Sequence, residues 1–319
     1  MARPVWLLTD AAMDRHVAQG HPERPERRGA AAAGVRDAAG DALTEPAVVP
    51  ASDAAILAVH DPAYLELLLD AEARGGGWLD ADTYLAPGSM AAARLAAGGT
   101  LQAARAATAG EAEIAFAVVR PPGHHAAAGH GSGFCLLNNV AIAVADLRAS
   151  TPVRRVAIVD WDVHHGDGTQ ALFDADADTL YLSTHQSPFY PGTGSPAERG
   201  IGAATGTKLN RPLAAGDGDG AFVETWTDDL LPALERFAPQ AILVSAGFDA
   251  HRADPLAELA VTEDGYGAVS RALAACAARL GIHGIALTLE GGYDLDALRA
   301  SAAATVRGLL AGRRDPDPR

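Results

Sequence analysis

The segment 155–169 constrains the fold of this chain more than any other part of the sequence. It opens with the apolar, β-branched stretch 156–159, which predicts a buried strand. Asp160, Asp162 and His164 follow at intervals of two residues, and in an extended chain such side chains project to one face. Unpaired charges in an apolar interior cost several kcal/mol, so this group requires a metal ion or a network of ion pairs.

Apolar strand patterns alternate with helical patterns along the whole chain, and this alternation predicts the fold class. We expect a single α/β domain with a mostly parallel central sheet and helices on both faces. Ligands bind such sheets at the carboxyl ends of the strands, so the active site is expected there. The domain is predicted to span 1–312, with a loose tail at 313–319. Strands are predicted at 5–9, 114–119, 156–159, 179–184, 241–245 and 285–289.

Composition excludes several classes of protein. The net charge of −15 argues against a nucleic-acid partner, because binding to phosphates relies on basic residues. No apolar run reaches the length of a membrane span, and the first ten residues do not have the pattern of a signal peptide. The chain has two cysteines, Cys135 and Cys276, far apart in sequence, so no disulfide framework is predicted. These features favour a cytoplasmic protein and leave its oligomeric state open.

Two polar features outside the central segment are predicted to be structural on composition alone. Residues 21–27 have the pattern of a surface turn with ion pairs that leads into a helix. His60 precedes Asp61 and Pro62, which mark the start of a helix, and it is expected to serve packing rather than to bind a ligand.

Polar side chains follow several of the predicted strands, and their convergence indicates a catalytic centre. Asp162, His164 and Asp249 would give a metal three protein ligands and leave a position open, which is typical of catalytic sites. Two carboxylates and one imidazole leave Zn²⁺, Mn²⁺ and Fe²⁺ all possible. A histidine pair and a tyrosine nearby suggest hydrolysis by an activated water. The remaining polar residues at strand ends are His124, His125, Asp160, Asp167, Ser183 and Tyr293.

These motifs resemble those of the arginase-fold histone deacetylases. The resemblance is stronger to the bacterial histone deacetylase-like and acetylpolyamine amidohydrolases, a group that includes the acetoin-utilization proteins. It covers nearly the whole chain. Trp161 and Glu290 follow the class II and bacterial pattern, whereas Asp167 stands where many class II members carry Asn. The matching segments are 21–27, 80–84, 120–125, 133–139, 160–168, 247–255 and 290–293.

The resemblance implies a hydrolytic zinc site. His125 matches the general base that later acts as an acid, and His124 matches its charged companion. Asp160 and Asp167 match the carboxylates that orient these two imidazoles. Tyr293 matches the phenol that holds the substrate carbonyl and then the oxyanion. The residues that match the zinc ligands are Asp162, His164 and Asp249.

The resemblance also implies a substrate channel and a second cation. Asp82 matches a rim acid that grips the substrate backbone. Asp160 and Ser183 match the side-chain ligands of a structural potassium ion. The residues that match the channel are Gly133, Phe134 and Tyr190.

The implied activity is zinc-dependent hydrolysis of an N-acetyl or other N-acyl amide to a carboxylate and a free amine. Substrates would be acetyl-lysine in a peptide or protein, or an acetylpolyamine, and the sequence leaves this choice open. A two-manganese arginase- or agmatinase-like ureohydrolase would need further carboxylates, but Asp249 is followed by Ala and His. A non-catalytic acetyl-amine binder would be expected to lack a metal ligand or Tyr293, and none of these is missing.

Overall fold

The structure is a computed structural model that describes residues 4–315. Its centre is an eight-stranded sheet with the order β2-β1-β5-β10-β9-β6-β7-β8, in which neighbouring strands run parallel. β3 and β4 form a separate antiparallel hairpin. The strands are β1 Val5–Leu8, β2 Leu43–Thr44, β3 Gly77–Trp78, β4 Tyr84–Leu85, β5 Ile114–Ala117, β6 Val156–Asp160, β7 Thr179–Gln186, β8 Lys208–Leu213, β9 Ala241–Ala246 and β10 Ile285–Leu289.

Parallel pairing requires crossover connections, and most of them contain α-helices, whereas β7 and β8 are joined by a loop with one 3₁₀ turn. A π-helical segment, Thr225–Leu230, joins α7 to α8, and 3₁₀ turns occur at Ala11–Arg15, Gly40–Ala42 and Gly202–Ala204. The α-helices are α1 Glu26–Ala39, α2 Asp53–Ile56, α3 Pro62–Ala73, α4 Ser89–Ala109, α5 Asn139–Ser150, α6 Asp167–Phe173, α7 Asp219–Glu224, α8 Leu231–Phe237, α9 Glu263–Arg279 and α10 Leu295–Arg314.

The central strand β6 shows why the sheet is covered on both faces. Its side chains alternate between two apolar cores, with Val156 and Ile158 in one core and Ala157 and Val159 in the other. This alternation follows from the two-residue period of a strand. Helices α4, α5 and α6 cover the first core, and α1, α8, α9 and α10 cover the second. The predicted α/β architecture is therefore confirmed.

Two local expectations differ from the structure, and one strand was missed. Residues 21–27 do not form a surface turn, because Glu23 and Arg27 are fully buried. The predicted tail at 313–319 begins too early, since α10 continues to Arg314 and the Arg313 guanidinium donates to the Ile282 carbonyl at 2.6 Å. Residues 316–319 of that tail lie outside the described residues. The polar edge strand β8 was not predicted.

His60 is structural, as expected. Its Nδ1 lies 2.9 Å from the Ala127 carbonyl, and its Nε2 accepts from the Asn138 N–H at 2.9 Å. Within residues 4–315, each helix is too short or too polar to cross a lipid bilayer.

Candidate active site

The carboxyl ends of four neighbouring strands, β5, β10, β9 and β6, lie side by side at one end of the sheet. Because parallel strands present their carboxyl ends together, the polar residues that follow them meet there. This brings together residues that are up to 169 positions apart in sequence (293 − 124). The residues delivered are His124 and His125 after β5, Asp162 and His164 after β6, Asp249 after β9 and Tyr293 after β10.

The predicted metal ligands form a compact cluster. Candidate ligand atoms of Asp162, His164 and Asp249 all lie within 4.8 Å of one another. His164 Nδ1 faces both carboxylates, at 3.1 Å from Asp162 Oδ1 and 3.3 Å from Asp249 Oδ2. Asp249 Oδ2 is buried and has no hydrogen-bond partner among the described residues. A buried carboxylate oxygen without a partner, beside a second carboxylate and an imidazole, fits a divalent cation.

The backbone around the cluster fixes the two carboxylates. The Val163 N–H donates to Asp249 Oδ1 at 3.0 Å, and the Gly291 N–H donates to Asp162 Oδ2 at 2.7 Å. A Cβ atom at Gly291 would lie 1.9 Å from Asp249 Oδ2. The close approach of the turn after β10 therefore requires glycine at that position.

The pKa values in the cluster reflect an excess of negative charge. Burial raises the pKa of Asp249, and the neighbouring Asp162 carboxylate raises it further. Burial alone would lower the pKa of His164, but the neighbouring carboxylates of Asp162 and Asp249 outweigh it and raise this pKa to about 10. The two carboxylates thus favour a positive charge between them, and a bound divalent cation would supply that charge.

His124 and His125 are each oriented by one carboxylate. His124 Nδ1 lies 3.2 Å from Asp160 Oδ2, and His125 Nδ1 lies 2.7 Å from Asp167 Oδ1. Burial would lower the pKa of His124, but the carboxylates led by Asp162 raise it well above its usual value. Burial and then the charge of His124 lower the pKa of His125 to about 4. One imidazole is therefore charged and the other neutral at physiological pH.

A cavity opens above the cluster, and all four predicted substrate-binding residues line it. The Phe134 ring stands edge-on to Tyr293 at 5.8 Å, and the Tyr190 ring stands edge-on to His125 at 5.2 Å. Phe189 stacks on His164 at 5.4 Å. The lining residues are Asp82, Pro122, His124, His125, Gly133, Phe134, His164, Phe189, Tyr190, Leu256, Gly291 and Tyr293.

The turn that carries Tyr293 is held by residues that the sequence analysis did not single out. Arg27 donates to the carbonyls of Gly292 and Glu290 at 2.5 Å each, and its guanidinium lies 4.7 Å from the Tyr293 ring centre. The Tyr293 N–H donates to Asp254 at 2.7 Å. Burial and the nearby Asp249 raise the pKa of Asp254 to about 7. No local pattern marks Arg27, because charged residues in a first helical turn are usually exposed.

Asp160 and Ser183, the predicted potassium ligands, stand opposite each other on β6 and β7. Asp160 Oδ2 accepts from the Tyr181 hydroxyl at 3.0 Å, and Ser183 Oγ lies 2.9 Å from His185 Nδ1. The two side chains therefore have partners within the protein, and potassium binding stays a prediction.

Comparison with known proteins identifies the family. Residues 21–309 match the family model of the histone deacetylase domain. The chain belongs to the histone deacetylase family. It is 42% identical over 281 residues to a probable deacetylase of Archaeoglobus fulgidus, which covers 86% of this chain and 77% of that protein. A probable deacetylase of Methanothermobacter thermautotrophicus is 40% identical over 98% of this chain and 92% of its own length.

Two further members of the family are similar over most of the chain. A histone deacetylase-like amidohydrolase of Pseudomonas aeruginosa is 38% identical, covering 84% of this chain and 71% of its own length. The crystal structure of the HDA15 HD domain superposes with a TM-score of 0.88 at 36% identity, covering 97% of this chain and 92% of that one. The predicted histone deacetylase-like family and its fold are thereby confirmed.

Proposed function

We propose that this histone deacetylase family member is a zinc-dependent amidohydrolase that removes acetyl or other acyl groups from amines. The observation that carries the proposal is the cluster of Asp162, His164 and Asp249 at the base of a cavity that also contains a neutral His125 and Tyr293. When bound, zinc would polarise the amide carbonyl and lower the pKa of water towards about 7.

His125 is the proposed general base and acid. Its lowered pKa of about 4 leaves the imidazole neutral, so it can accept a proton from the attacking water. The hydrogen bond from Nδ1 to Asp167 directs Nε2 of the ring as the acceptor and stabilises the imidazolium once it forms. The same ring then donates its proton to the departing amine. His124, charged and held by Asp160, would contribute positive potential beside the reacting carbonyl.

Tyr293 is the proposed hydrogen-bond donor to the substrate oxygen. Burial raises the pKa of its hydroxyl well above its usual value, although Arg27 acts in the opposite direction. The phenol therefore stays protonated at neutral pH and can donate to the oxygen as negative charge develops on it. One such donor typically contributes about 3 kcal/mol to transition-state stabilisation. The products are acetate, or the corresponding carboxylate, and a free amine.

The cavity walls suit the chain of an acylated amine. Phe134 and Tyr190 contribute aromatic rings to the cavity wall, Phe134 edge-on to Tyr293 and Tyr190 edge-on to His125, and Gly133 lines the same cavity. A Cβ atom at Gly133 would lie 2.4 Å from His125 Cδ2, so a larger residue would displace the proposed base. Asp82 lines the same cavity and is the proposed contact for a donor on the substrate outside it. Acetyl-lysine and acetylpolyamines share the chemistry this site would recognise.

Metal analysis and turnover together test the proposal. Purified chain is expected to contain about one zinc per molecule and to release acetate from an acetyl-lysine fluorogenic peptide. Acetylspermidine, acetylputrescine and acetylcadaverine, assayed in parallel, would select the substrate class. Two bound manganese ions with urea release from arginine or agmatine would favour the ureohydrolase alternative. Bound zinc without hydrolysis of any acylated amine would contradict the proposal.

Asp160 and Ser183 are further proposed as side-chain ligands of a potassium ion. Turnover is then expected to depend on the K⁺ concentration when Na⁺ keeps the ionic strength constant. Identical rates with either cation would reject this part.

A further inference from the structure

Glu290 is a buried carboxylate for which the proposed mechanism has no use. It follows β10 directly and is fully buried. Burial is costly for a carboxylate, and it raises the pKa of Glu290 to about 7 although His124 acts in the opposite direction. One of its oxygens, Oε1, has no hydrogen-bond partner among the described residues. A side chain buried at this cost requires a compensating contact.

The compensating contact is made by Oε2. This oxygen accepts from the Gly123 N–H at 2.6 Å and from the His124 N–H at 3.2 Å. Both donors lie 166 or 167 residues away in sequence, in the loop that carries the histidine pair. An apolar residue in place of Glu290 would leave both N–H groups buried without acceptors, which is unfavourable because the lost hydrogen bonds to water are not replaced.

The backbone of Glu290 belongs to the turn that carries Tyr293. Its N–H donates to the Ala246 carbonyl at 3.1 Å, and its own carbonyl accepts from Arg27 at 2.5 Å. The same residue therefore holds the histidine loop with its side chain and the tyrosine turn with its main chain. The histidine loop also packs closely against the start of α5, since a Cβ atom at Gly123 would lie 2.6 Å from the Asn139 backbone nitrogen.

We infer that Glu290 is a positioning residue for the proposed hydrolysis, which fixes the His124/His125 loop relative to Tyr293. The inference rests on the proposed function. His125 activates the water that attacks the substrate carbonyl, and Tyr293 donates a hydrogen bond to the oxygen of the same carbonyl. The two side chains follow different strands, so the rate depends on the distance between them. A displacement of about 1 Å at such a site can lower the rate by about 10²-fold.

Two substitutions at Glu290 distinguish the effect of side-chain length from the effect of charge. Glu290→Gln keeps an oxygen at the position of Oε2, and its amide nitrogen replaces the oxygen that has no partner. Glu290→Asp keeps the charge but withdraws the oxygen by one methylene group. The zinc-loaded full chain is expected to keep kcat within about threefold in Glu290→Gln. In Glu290→Asp, kcat is expected to fall about 10²-fold with KM and zinc content nearly unchanged.

Asp219→Ala is the matched control, because Asp219 also accepts a backbone N–H, that of Thr262 at 2.7 Å, but lies outside the cavity. It is expected to lower the melting temperature and leave kcat unchanged. Equal kcat in Glu290→Asp and wild type would overturn the inference. So would a loss in Glu290→Gln as large as in Glu290→Asp, because the charge would then matter more than the acceptor.

The Gly123 amide proton gives a readout that does not depend on activity. Its short hydrogen bond predicts a strongly downfield NMR resonance in the wild type and in Glu290→Gln, and an upfield shift in Glu290→Asp. An ordinary Gly123 resonance in the wild type would overturn the inference. A wild type that hydrolyses no acylated amine would reject the proposed function, whereas this comparison would still decide whether Glu290 holds the loop.

Discussion

His124 and His125 are adjacent, chemically identical side chains whose pKa values shift in opposite directions. Burial opposes the charged form of both rings. At His124 the carboxylates of Asp162 and Asp160 outweigh burial, whereas at His125 the charge of His124 adds to it. At the scale of single residues, the protonation of this site is therefore set by burial and by the nearest charged neighbours rather than by residue type.

Asp249→Ala tests the metal cluster. The substitution removes the ligand contributed by β9 and leaves two ligands from one loop, so bound zinc and activity are both expected to be lost. Zinc content by atomic emission and turnover measure the outcome. Asp229→Ala, which removes a surface carboxylate paired with Arg211, is the control and should retain both. Normal zinc content in Asp249→Ala would remove Asp249 from the site.

Tyr293→Phe tests the hydrogen bond to the substrate oxygen. The ring and its contact with Arg27 remain, so zinc content and melting temperature should change little. Loss of one donor to the developing oxyanion should lower kcat by about 10²–10³-fold. Tyr64→Phe, which removes a buried hydroxyl bonded to the Leu136 carbonyl, should keep kcat. Retention of more than about half of the wild-type kcat by Tyr293→Phe would show that the hydroxyl has no such role.

At the scale of elements, the site depends on the register of parallel strands. Asp160 at the end of β6 stands level with Ser183 on β7 and Ser245 on β9. The loops after these strands therefore start side by side, and short polar segments can meet without long connections. The loop 133–134 reaches the same place with two successive residues in the left-handed region, at φ 52° and 70°.

Phe134→Ala tests whether this loop forms the channel wall. Phe134 is half-buried and lines the cavity, so its loss should lower kcat/KM with little change in melting temperature. Phe116 in β5 is fully buried, and Phe116→Ala as the comparison should cost about 3–5 kcal/mol of stability. A large loss of stability in Phe134→Ala, with unchanged kinetics in the folded fraction, would identify Phe134 as a core residue.

At the scale of the whole molecule, the amino-terminal segment is tied to the sheet by buried charges. Glu23 forms ion pairs with both Arg27 and Arg120, and all three side chains are fully buried. Burial opposes ionisation of Glu23, but the two guanidinium groups, Arg120 foremost, lower its pKa to about 2. Through these contacts the turn 21–27 connects the end of β5 with the turn after β10.

His16 in the same segment predicts a pH dependence of stability. Burial lowers its pKa to about 4, although Glu23 at 3.7 Å acts in the opposite direction. The folded pKa is below the unfolded value of about 6.5, so the unfolded state binds the proton more tightly. Stability from this group is present above about pH 6.5 and is lost as the pH falls towards 4.

Chemical denaturation of wild type and His16→Gln between pH 4 and 7 measures this contribution. The slope of unfolding free energy against pH should be smaller in the variant, by at most about 1.4 kcal/mol per pH unit, the value for one proton. Equal slopes in the two proteins would contradict a neutral buried His16. The comparison cancels the contributions of other histidines.

Local sequence patterns were sufficient to predict the fold class, the central strands and the family. The spacing of apolar residues indicates which faces of a segment are buried. Strands such as β6 and β10 can therefore be recognised from their own residues alone. The predicted metal ligands also stand in short motifs next to those strands, which is why they could be named before their geometry was known. In the structure the candidate ligand atoms of Asp162, His164 and Asp249 lie within 4.8 Å of one another.

Which polar residues are buried, and which segments they contact, depends on long-range contacts in the folded chain. Arg27 contacts the turn at Gly292 across 265 residues, and Glu290 contacts Gly123 across 167. The polar strand β8 pairs with β7 although its sequence lacks an apolar pattern. Local patterns do not encode such contacts, because their energy comes from desolvation and hydrogen bonding between segments that meet only in the folded chain.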